Sequence, residues 1–305
     1  MSVLLGTTTR STGDPVTPER VLRRLEWRVI RRLDGRLQGD YRTLLRGSGI
    51  DFADLRDYEP GDDVRHIDWN VTARTDSVHV RTYHEDREIT VWLLLDRSPS
   101  MSFGAVDRPK DLVLTELATT LARLFTRGGN RVGAVLYNNR TERTIPPRTG
   151  RNQVLLLAHD LMRPTVPTGT STNLTELFHA AAGTITRRSL VVVVSDFISE
   201  PGWERPLSLL SQRHELVAIR LFDPREFELP DAGLLVMEDA ETGELLSVDT
   251  SDPEFRRRFY EAATARQLEL KAAIQRSGVD LYTVSTQEDL VGALVRIVEL
   301  RRRRR

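Results

Sequence analysis

The sequence predicts an α/β protein in which a doubly wound, mostly parallel sheet follows a small β-rich unit and an amphipathic helix. Two observations support this prediction. The apolar runs Val91–Leu95 and Leu190–Val194 suit strands that are buried on both faces of a parallel sheet. From Ile89 onward, segments with leucines at helical spacing alternate with strand-like runs, which is typical of consecutive βαβ units.

Length and composition narrow the possibilities. A chain of 305 residues can form one large domain and a smaller one. Lys+Arg and Asp+Glu both number 44, so the net charge does not point to an acidic partner, and the absence of cysteine excludes disulfides and thiolate chemistry. The sequence has no apolar run near the roughly 20 residues that span a bilayer and no signal-peptide pattern at its start. We therefore expect a soluble, cytoplasmic protein.

The first 38 residues divide into two predicted segments. Residues 1–16 are polar and are expected to form a disordered lead. Thr17-Pro18 resembles a helix N-cap followed by proline at the first helical position, and it begins a predicted amphipathic, basic helix over residues 17–38. Such a helix could lie on an anionic membrane or bind nucleic acid. The alternative, which we favour, is that its leucines pack on its own domain.

Residues 39–88 differ in composition and pattern from the segments on either side. Short elements, frequent turns and dense opposite charges predict a small β-rich subdomain held together by ion pairs, with a turn at Pro60-Gly61 and a strand over Ser77–Tyr83. The acidic residues of this stretch could form a second cation site, but we expect them to pair with neighbouring arginines instead.

Residues 89–300 carry the predicted sheet. A helix with leucines at helical spacing ends at Gly128-Gly129 and is followed by a strand and its hairpin partner, Arg131–Tyr137 and Thr141–Ile145. Later strands and a hairpin are predicted over Leu216–Leu221, Leu234–Met237, Leu245–Val248 and Val279–Val284. The chain ends in an arginine run, residues 301–305, for which we expect a solvated tail.

Oxygen-bearing side chains occur at three places that the predicted sheet brings to one edge. Asp96, Ser98 and Ser100 directly follow the first apolar strand, Asp196 ends the second, and a hydroxyl-rich loop containing Thr170 and Thr172 precedes a predicted helix. Ligand sites in open α/β sheets lie beyond the carboxyl ends of the strands. Carboxylates and hydroxyls suit Mg²⁺ or a similar hard cation. Taken alone, D-x-S-x-S could equally be a strand end whose Ser or Asp caps a later helix. The convergence of three segments favours a metal site.

The same segments carry a family resemblance. D-R-S-P-S, T-S-T-N-L and V-S-D resemble the metal-ion-dependent adhesion site (MIDAS) of von Willebrand factor A (vWA) domains. The stretch Gly47–Arg74 is similar to the signature of the bacterial domain-of-unknown-function 58 (DUF58) family, and the similarity extends from about Arg36 to S-T-Q-E-D-L at Ser285–Leu290. The resemblance implies a vWA-like domain over residues 89–300. Many relatives carry transmembrane segments near the N-terminus, and their absence in this sequence fits a soluble form.

The resemblance also implies roles for individual residues. Ser98 and Ser100 would be direct ligands, and Asp96 and Asp196 would act directly or through water. The family loop places Thr172 in register, although Ser171 stands where a glycine is usual; Thr170, which follows Gly169, is the alternative. The implied ion is Mg²⁺, with Mn²⁺ or Ca²⁺ as alternatives, and its open position would attract an Asp or Glu of a partner protein.

The resemblance also implies a partner, and the residues themselves leave two rival functions open. Family genes commonly neighbour those of MoxR-type AAA ATPases, which implies that this protein is an adaptor of such an ATPase.

One alternative is a metal-dependent phosphohydrolase, but Ser98 stands where such enzymes commonly carry a second Asp, and nucleotide-loop, nucleophile-elbow and H-E-x-x-H motifs are absent. We therefore expect that this protein is not an enzyme. Another alternative is binding of anionic lipid or RNA through the arginine-rich helix and tail. Since aromatic residues for base stacking are scarce there, we expect no nucleic acid and at most weak contact with a membrane surface.

Overall fold

In this computed structural model the chain forms two compact units, Met1–Leu44 with Ile89–Arg305, and Leu45–Glu88. The structure describes residues 3–4, 17–26, 29, 32–33, 54–59, 62, 64, 67, 69–74, 77–82, 89–105, 108–165, 171–239 and 244–303. Most of the predicted lead over residues 1–16 and much of the second half of the predicted helix 17–38 lie outside these ranges.

A six-stranded, mostly parallel sheet forms the centre of the larger unit. Its strands, in spatial order, are β13 (Asp280–Ser285), β10 (Glu215–Phe222), β9 (Leu190–Ser195), β4 (Thr90–Asp96), β7 (Arg131–Tyr137) and β8 (Thr141–Arg148). All neighbouring pairs are parallel except β7 and β8, which form the predicted hairpin. The predicted α/β architecture with a mostly parallel sheet is therefore confirmed.

The two apolar runs form the central pair of strands because they can be buried on both faces. In β4 the side chains from Val91 to Leu95 are at most 6% exposed, and in β9 those from Leu190 to Val194 are at most 4% exposed. Burial of each leucine or valine of this kind contributes about 1.5–3 kcal/mol. Leu95 pairs with Val194 in register, so Asp96 and Ser195 emerge at the same level of the sheet.

Helices cover the sheet. They are α1 (Pro18–Leu25), α3 (Lys110–Arg127), α4 (Arg151–Leu161), α5 (Leu174–Thr184), α6 (Glu204–Arg213), α7 (Pro253–Arg276) and α8 (Leu290–Arg303). Helix α3 packs against β4 and β10, and Phe178 of α5 and Leu207 of α6 are buried in one core with Leu94 of β4.

Helix α1 begins as predicted. Thr17 accepts a hydrogen bond from the backbone N–H of Arg20 at 3.3 Å, and proline follows it at the first helical position. Leu22 and Leu25 are buried, and the helix packs against α3 and α4. The favoured alternative, in which the leucines face the chain's own domain, is confirmed.

Smaller elements complete the larger unit. Strands β11 (Leu234–Asp239) and β12 (Leu245–Asp249) form the second predicted hairpin, and β1 (Val3–Leu4) pairs with β11; β5 (Gly104–Ala105) pairs with β6 (Arg108–Pro109). The last helix differs from the prediction because α8 continues to Arg303, into the arginine run. The reason is that Arg301 is buried and pairs with Glu215, so this part of the run is not a solvated tail.

The smaller unit contains an antiparallel pair of strands, β2 (Asp54–Asp57) and β3 (His79–Thr82), and a short helix α2 (Trp69–Thr72). His79 lies 3.3 Å from the carboxylate of Asp57, and Asp62 accepts a hydrogen bond from the backbone N–H of Glu59.

Candidate metal centre

The predicted site lies where the strand order of the large sheet reverses. Strand β4 is the first of the six along the chain, and the later strands lie on both sides of it, β7 and β8 on one side and β9, β10 and β13 on the other. A crevice at the carboxyl ends of two adjacent strands is the usual ligand position in such sheets. Here the two strands are β4, which ends in Asp96, and β9, which is followed by Asp196.

Asp96, Ser98 and Ser100 form a buried, hydrogen-bonded cluster. One carboxylate oxygen of Asp96, Oδ1, accepts from the backbone N–H of Ser98 at 2.9 Å, and Oδ2 accepts from the hydroxyl of Ser195 at 2.6 Å. The hydroxyls of Ser98 and Ser100 are 3.1 Å apart. Within the described 3₁₀ turn Pro99–Ser102, the side chain of Ser98 makes no capping hydrogen bond. The hydroxyl of Ser98 is therefore directed to the cluster and not to a helix end.

Asp196 is fully buried and is held by a second set of contacts. Its Oδ1 accepts from the backbone N–H of Ile198 at 3.0 Å, and its Oδ2 accepts from the ammonium of Lys110 at 2.7 Å. Lys110 is itself fully buried and also donates to Glu226 at 2.6 Å. Arg220 donates from Nε to the Asp196 carbonyl at 3.2 Å and from Nη2 to Glu226 at 3.4 Å.

The electrostatics of the cluster follow from this burial. Desolvation, together with the negative charge of Asp196, raises the pKa of Asp96 to about 7. The effect of Asp196 shows that the two carboxylates at the strand ends are close enough to repel each other. Burial opposes the charged form of Lys110, but the charges of Asp196 and Glu226 outweigh it and raise the pKa of Lys110. Lys110 is therefore a buried ammonium ion.

The hydroxyl-rich loop is tied to the segment that follows Asp196. The carbonyl of Thr172 accepts from the hydroxyl of Ser199 at 3.0 Å and from the backbone N–H of Glu200 at 2.9 Å. Thr172 is 1% exposed, and Asn173 caps α5 by accepting from the backbone N–H of Thr175 at 3.0 Å. Backbone contacts thus bring the third predicted segment to this sheet edge. Thr170 lies outside the described residues.

The sequence-based interpretation missed four members of the cluster: Ser195, Lys110, Arg220 and Glu226. Arg220 left a readable signal, because it interrupts the otherwise apolar strand L-V-A-I-R-L-F and a buried guanidinium needs partners. Lys110 left none, since a lysine at the first position of a helix is ordinarily exposed.

The donor chemistry fits a hard divalent cation. Ser98 and Ser100 offer adjacent hydroxyl oxygens, and Asp96 offers a carboxylate beside them. Within the described ranges, no group of three or more His, Asp or Glu side chains is arranged to hold a metal ion. An ion at this edge would consequently depend on hydroxyl ligands, as the D-x-S-x-S spacing implies.

Comparisons with known proteins identify relatives but no described activity. The family described as "Protein of unknown function DUF58" matches residues 54–269. The uncharacterized proteins Rv1480 of Mycobacterium tuberculosis and Mb1516 of Mycobacterium bovis are each 39% identical over 283 residues, which cover 92% of this chain and 89% of the relative. An uncharacterized protein of Mycobacterium avium is 36% identical over 160 residues, covering 52% of this chain and 94% of the relative.

Solved structures give a more distant likeness. BatB of Bacteroides thetaiotaomicron is 14% identical with a TM-score of 0.44, covering 69% of this chain and 96% of that chain. An aerotolerance-related membrane protein of Bacteroides fragilis is 14% identical with a TM-score of 0.43, covering 71% and 100%. An uncharacterized membrane-spanning protein of Vibrio fischeri is 14% identical with a TM-score of 0.25, covering 68% and 96%.

The comparisons contradict the predicted cytoplasmic location. Two of these similar structures come from proteins described as membrane proteins. In the part of the chain that the structure describes, no helix is both long and apolar enough to cross a bilayer. The error has a physical reason. The absence of a membrane-spanning segment describes only the helices of this sequence, and it does not identify a compartment.

Proposed function

Since this chain belongs to the DUF58 family of proteins of unknown function, we propose that it is a non-enzymatic, metal-dependent protein-interaction module. In this proposal the larger unit is a vWA-like domain, and Asp96, Ser98, Ser100, Thr172 and Asp196 hold Mg²⁺, or Mn²⁺ or Ca²⁺ in its place. The cation then binds an Asp or Glu of a partner protein.

One observation supports the proposal above all others. The hydroxyls of Ser98 and Ser100, 3.1 Å apart and buried, stand beside the Asp96 carboxylate at the point where the strand order reverses. These groups are hydrogen-bonded within the cluster, but desolvation still disfavours the charged form of Asp96 and raises its pKa to about 7, and a bound cation would offset that cost.

The charges around the cluster favour an acidic partner. The cluster contains three carboxylates and two cationic side chains. Lys110 contacts Asp196 and Glu226, Arg220 contacts Glu226, and Asp96 adds a third negative charge that is repelled by Asp196. Because the cationic side chains already offset two of the negative charges, a bound divalent ion leaves the cluster with a net positive charge. A carboxylate from a partner would remove that excess, and its contact would be charge-assisted.

For the partner we propose a MoxR-type AAA ATPase, with this protein as its adaptor. This part of the proposal rests on family resemblance alone. It predicts that the interaction requires both the metal and an acidic residue on the surface of the ATPase.

Metal binding is tested by calorimetric titration of the purified chain with MgCl₂. We expect one Mg²⁺ per chain for the wild type and at least a tenfold weaker affinity for the double variant Ser98→Ala/Ser100→Ala. Ser102→Ala is the matched control, because its exposed hydroxyl donates to the carbonyl of Pro99 in the same turn. Equal Mg²⁺ affinities of the double variant and the control would contradict the proposed metal site.

Docking is tested by co-precipitation with a purified MoxR-type ATPase in MgCl₂ or in EDTA. We expect recovery of the ATPase in MgCl₂ with wild type and Ser102→Ala, and its loss in EDTA or with Asp96→Ala. Recovery of equal amounts under all conditions would contradict metal-dependent docking.

Hydrolysis of p-nitrophenyl phosphate that disappears in Asp96→Ala would instead favour the phosphohydrolase alternative. Salt-sensitive binding to anionic vesicles or RNA that is unchanged in Asp96→Ala would favour the arginine-based alternative.

A further inference from the structure

A second candidate site lies beside the metal centre, in a cavity of about 190 Å³. Three aromatic side chains and three arginines contribute to its wall: Phe103, Phe227, Phe259, Arg220, Arg225 and Arg266. Phe103 follows the Ser100 turn, Arg220 belongs to β10, and Phe259 and Arg266 lie seven residues apart on α7. The cavity therefore combines a cationic side and an apolar side at the carboxyl end of β10.

Three arginines and one glutamate line the cavity. The glutamate is Glu226, and its carboxylate is already engaged by Lys110 at 2.6 Å and by Arg220 at 3.4 Å. Arg266 acts on Arg220 as a like charge, so the two guanidinium groups are close enough to repel. Two cations that face one cavity are stabilised when an anion lies between them.

The side chain of Arg220 independently indicates a ligand, because one of its hydrogen-bond donors is unused within the described chain. The residue is 7% exposed, and its Nη1 is buried without a hydrogen-bond partner among the described residues, whereas its Nε and Nη2 are both engaged. A buried guanidinium nitrogen without an acceptor is costly. The guanidinium also stacks 5.6 Å from the ring centroid of Phe227, which fixes it at the boundary between the charged and the apolar sides.

The size of the cavity restricts the ligand. Sites for drug-sized molecules usually measure about 300–1,000 Å³, so a cavity of about 190 Å³ suits a single side chain. The last residue of a peptide combines an apolar side chain with a carboxylate, which matches the apolar and cationic sides of this cavity. We propose that this cavity binds the carboxyl-terminal residue of a partner protein, with an aromatic or large aliphatic side chain against the phenylalanines and the terminal carboxylate on the arginines.

This site goes beyond metal-dependent docking and does not require the metal. A partner could engage both positions, since Ile198 lines the cavity and its backbone N–H contacts the Asp196 carboxylate. The terminal carboxylate is nonetheless expected to bind in EDTA and to Asp96→Ala. Failure of the cavity and failure of the metal site can therefore be told apart.

The test is an NMR titration of the full chain in EDTA with three acetylated tripeptides: Gly-Gly-Phe with a free carboxyl terminus, the same peptide amidated, and Gly-Gly-Gly with a free terminus. We expect the first to bind at least tenfold more tightly than either of the others. Arg266→Gln is expected to weaken its binding about tenfold. Arg276→Gln, which removes the same charge in the last turn of α7, is the control and should leave binding unchanged. Arg266 is chosen because it is exposed, so its replacement leaves the buried contacts of Arg220 intact.

Equal binding of the free and amidated peptides would overturn the proposal, as would wild-type affinity in Arg266→Gln. Absence of binding by all three peptides to the folded wild type would overturn it as well.

Discussion

Lys110 is the residue on which the charge balance of the strand-end cluster depends. Its ammonium contacts carboxylates that lie 86 and 116 residues away along the chain, Asp196 and Glu226. Long-range pairs of this kind leave no local pattern, which is why the sequence could predict Asp96, Ser98, Ser100 and Asp196 at strand ends but not the lysine between them. The predicted residues were readable because an apolar run that stops at a carboxylate is itself a local pattern.

Replacing Lys110 should destabilise the protein strongly. Lys110→Ala leaves the fully buried carboxylate of Asp196 without its cation, and removal of one partner of a buried ion pair costs about 3–5 kcal/mol. Urea unfolding measures the loss as a lower midpoint. Arg257→Ala on α7 is the comparison, because its ion pairs with Glu254 and Glu261 are exposed to solvent. A loss for Lys110→Ala as small as that for Arg257→Ala would contradict the structural role of the buried ammonium.

Periodicity predicted the strands better than it predicted the ends of the helices. Strands β4 and β9 were recognisable because burial on both faces demands an unbroken apolar run. The extension of α8 to Arg303 could not be recognised from the sequence, because it depends on the pairing of Arg301 with Glu215, the first residue of β10. An arginine run has the composition of a solvated tail, and only the tertiary contact shows that its first member is packed.

The pairing of β4 with β7 depends on a glycine. Gly133 lies in register with Trp92, and an added Cβ would come within 3.0 Å of the Trp92 ring and of the Ile145 carbonyl oxygen. Gly133→Ala should therefore cost about 1–3 kcal/mol through overpacking. Gly183→Ala in α5 is the matched control; its Cβ meets nothing within 4 Å, so the change should stabilise the helix by about 0.5–1 kcal/mol. Thermal unfolding of both variants measures the two effects, and shifts of the same sign would show that the contacts around Gly133 relax freely.

The topology of the sheet, rather than any one segment, positions the candidate site. The sequence could predict that strand ends share one edge, since parallel βαβ units place them there. It could not predict that β4 lies between β7 and β9, because apolar strands of similar composition can be ordered in several ways. The strand order makes Asp96 and Asp196 neighbours, and it also brings Phe103 to the cavity lined by Arg220 and Arg266.

The stability of the whole chain should depend on pH through His214, which lies between α6 and β10. Its side chain is buried, and both ring nitrogens lack hydrogen-bond partners among the described residues. Burial, with a smaller effect of Arg213, lowers the pKa of His214 below its usual 6.5. The unfolded chain therefore binds a proton near pH 6.5 that the folded chain does not. Stability is consequently lost as pH falls below about 6.5 and is constant with respect to this group above it.

The measurement must separate this contribution from that of Asp96, whose raised pKa acts in the opposite direction. Since the folded chain retains the Asp96 proton up to about pH 7, that group reduces stability as pH rises from about 4 to 7. The difference in unfolding free energy between wild type and His214→Gln cancels this effect, because both chains keep Asp96. In EDTA between pH 5 and 8, we expect the wild type to lose stability relative to His214→Gln as pH falls below about 6.5 and the difference to level off above pH 7. Parallel profiles over the whole range would show that His214 takes up its proton equally in the folded and unfolded chains.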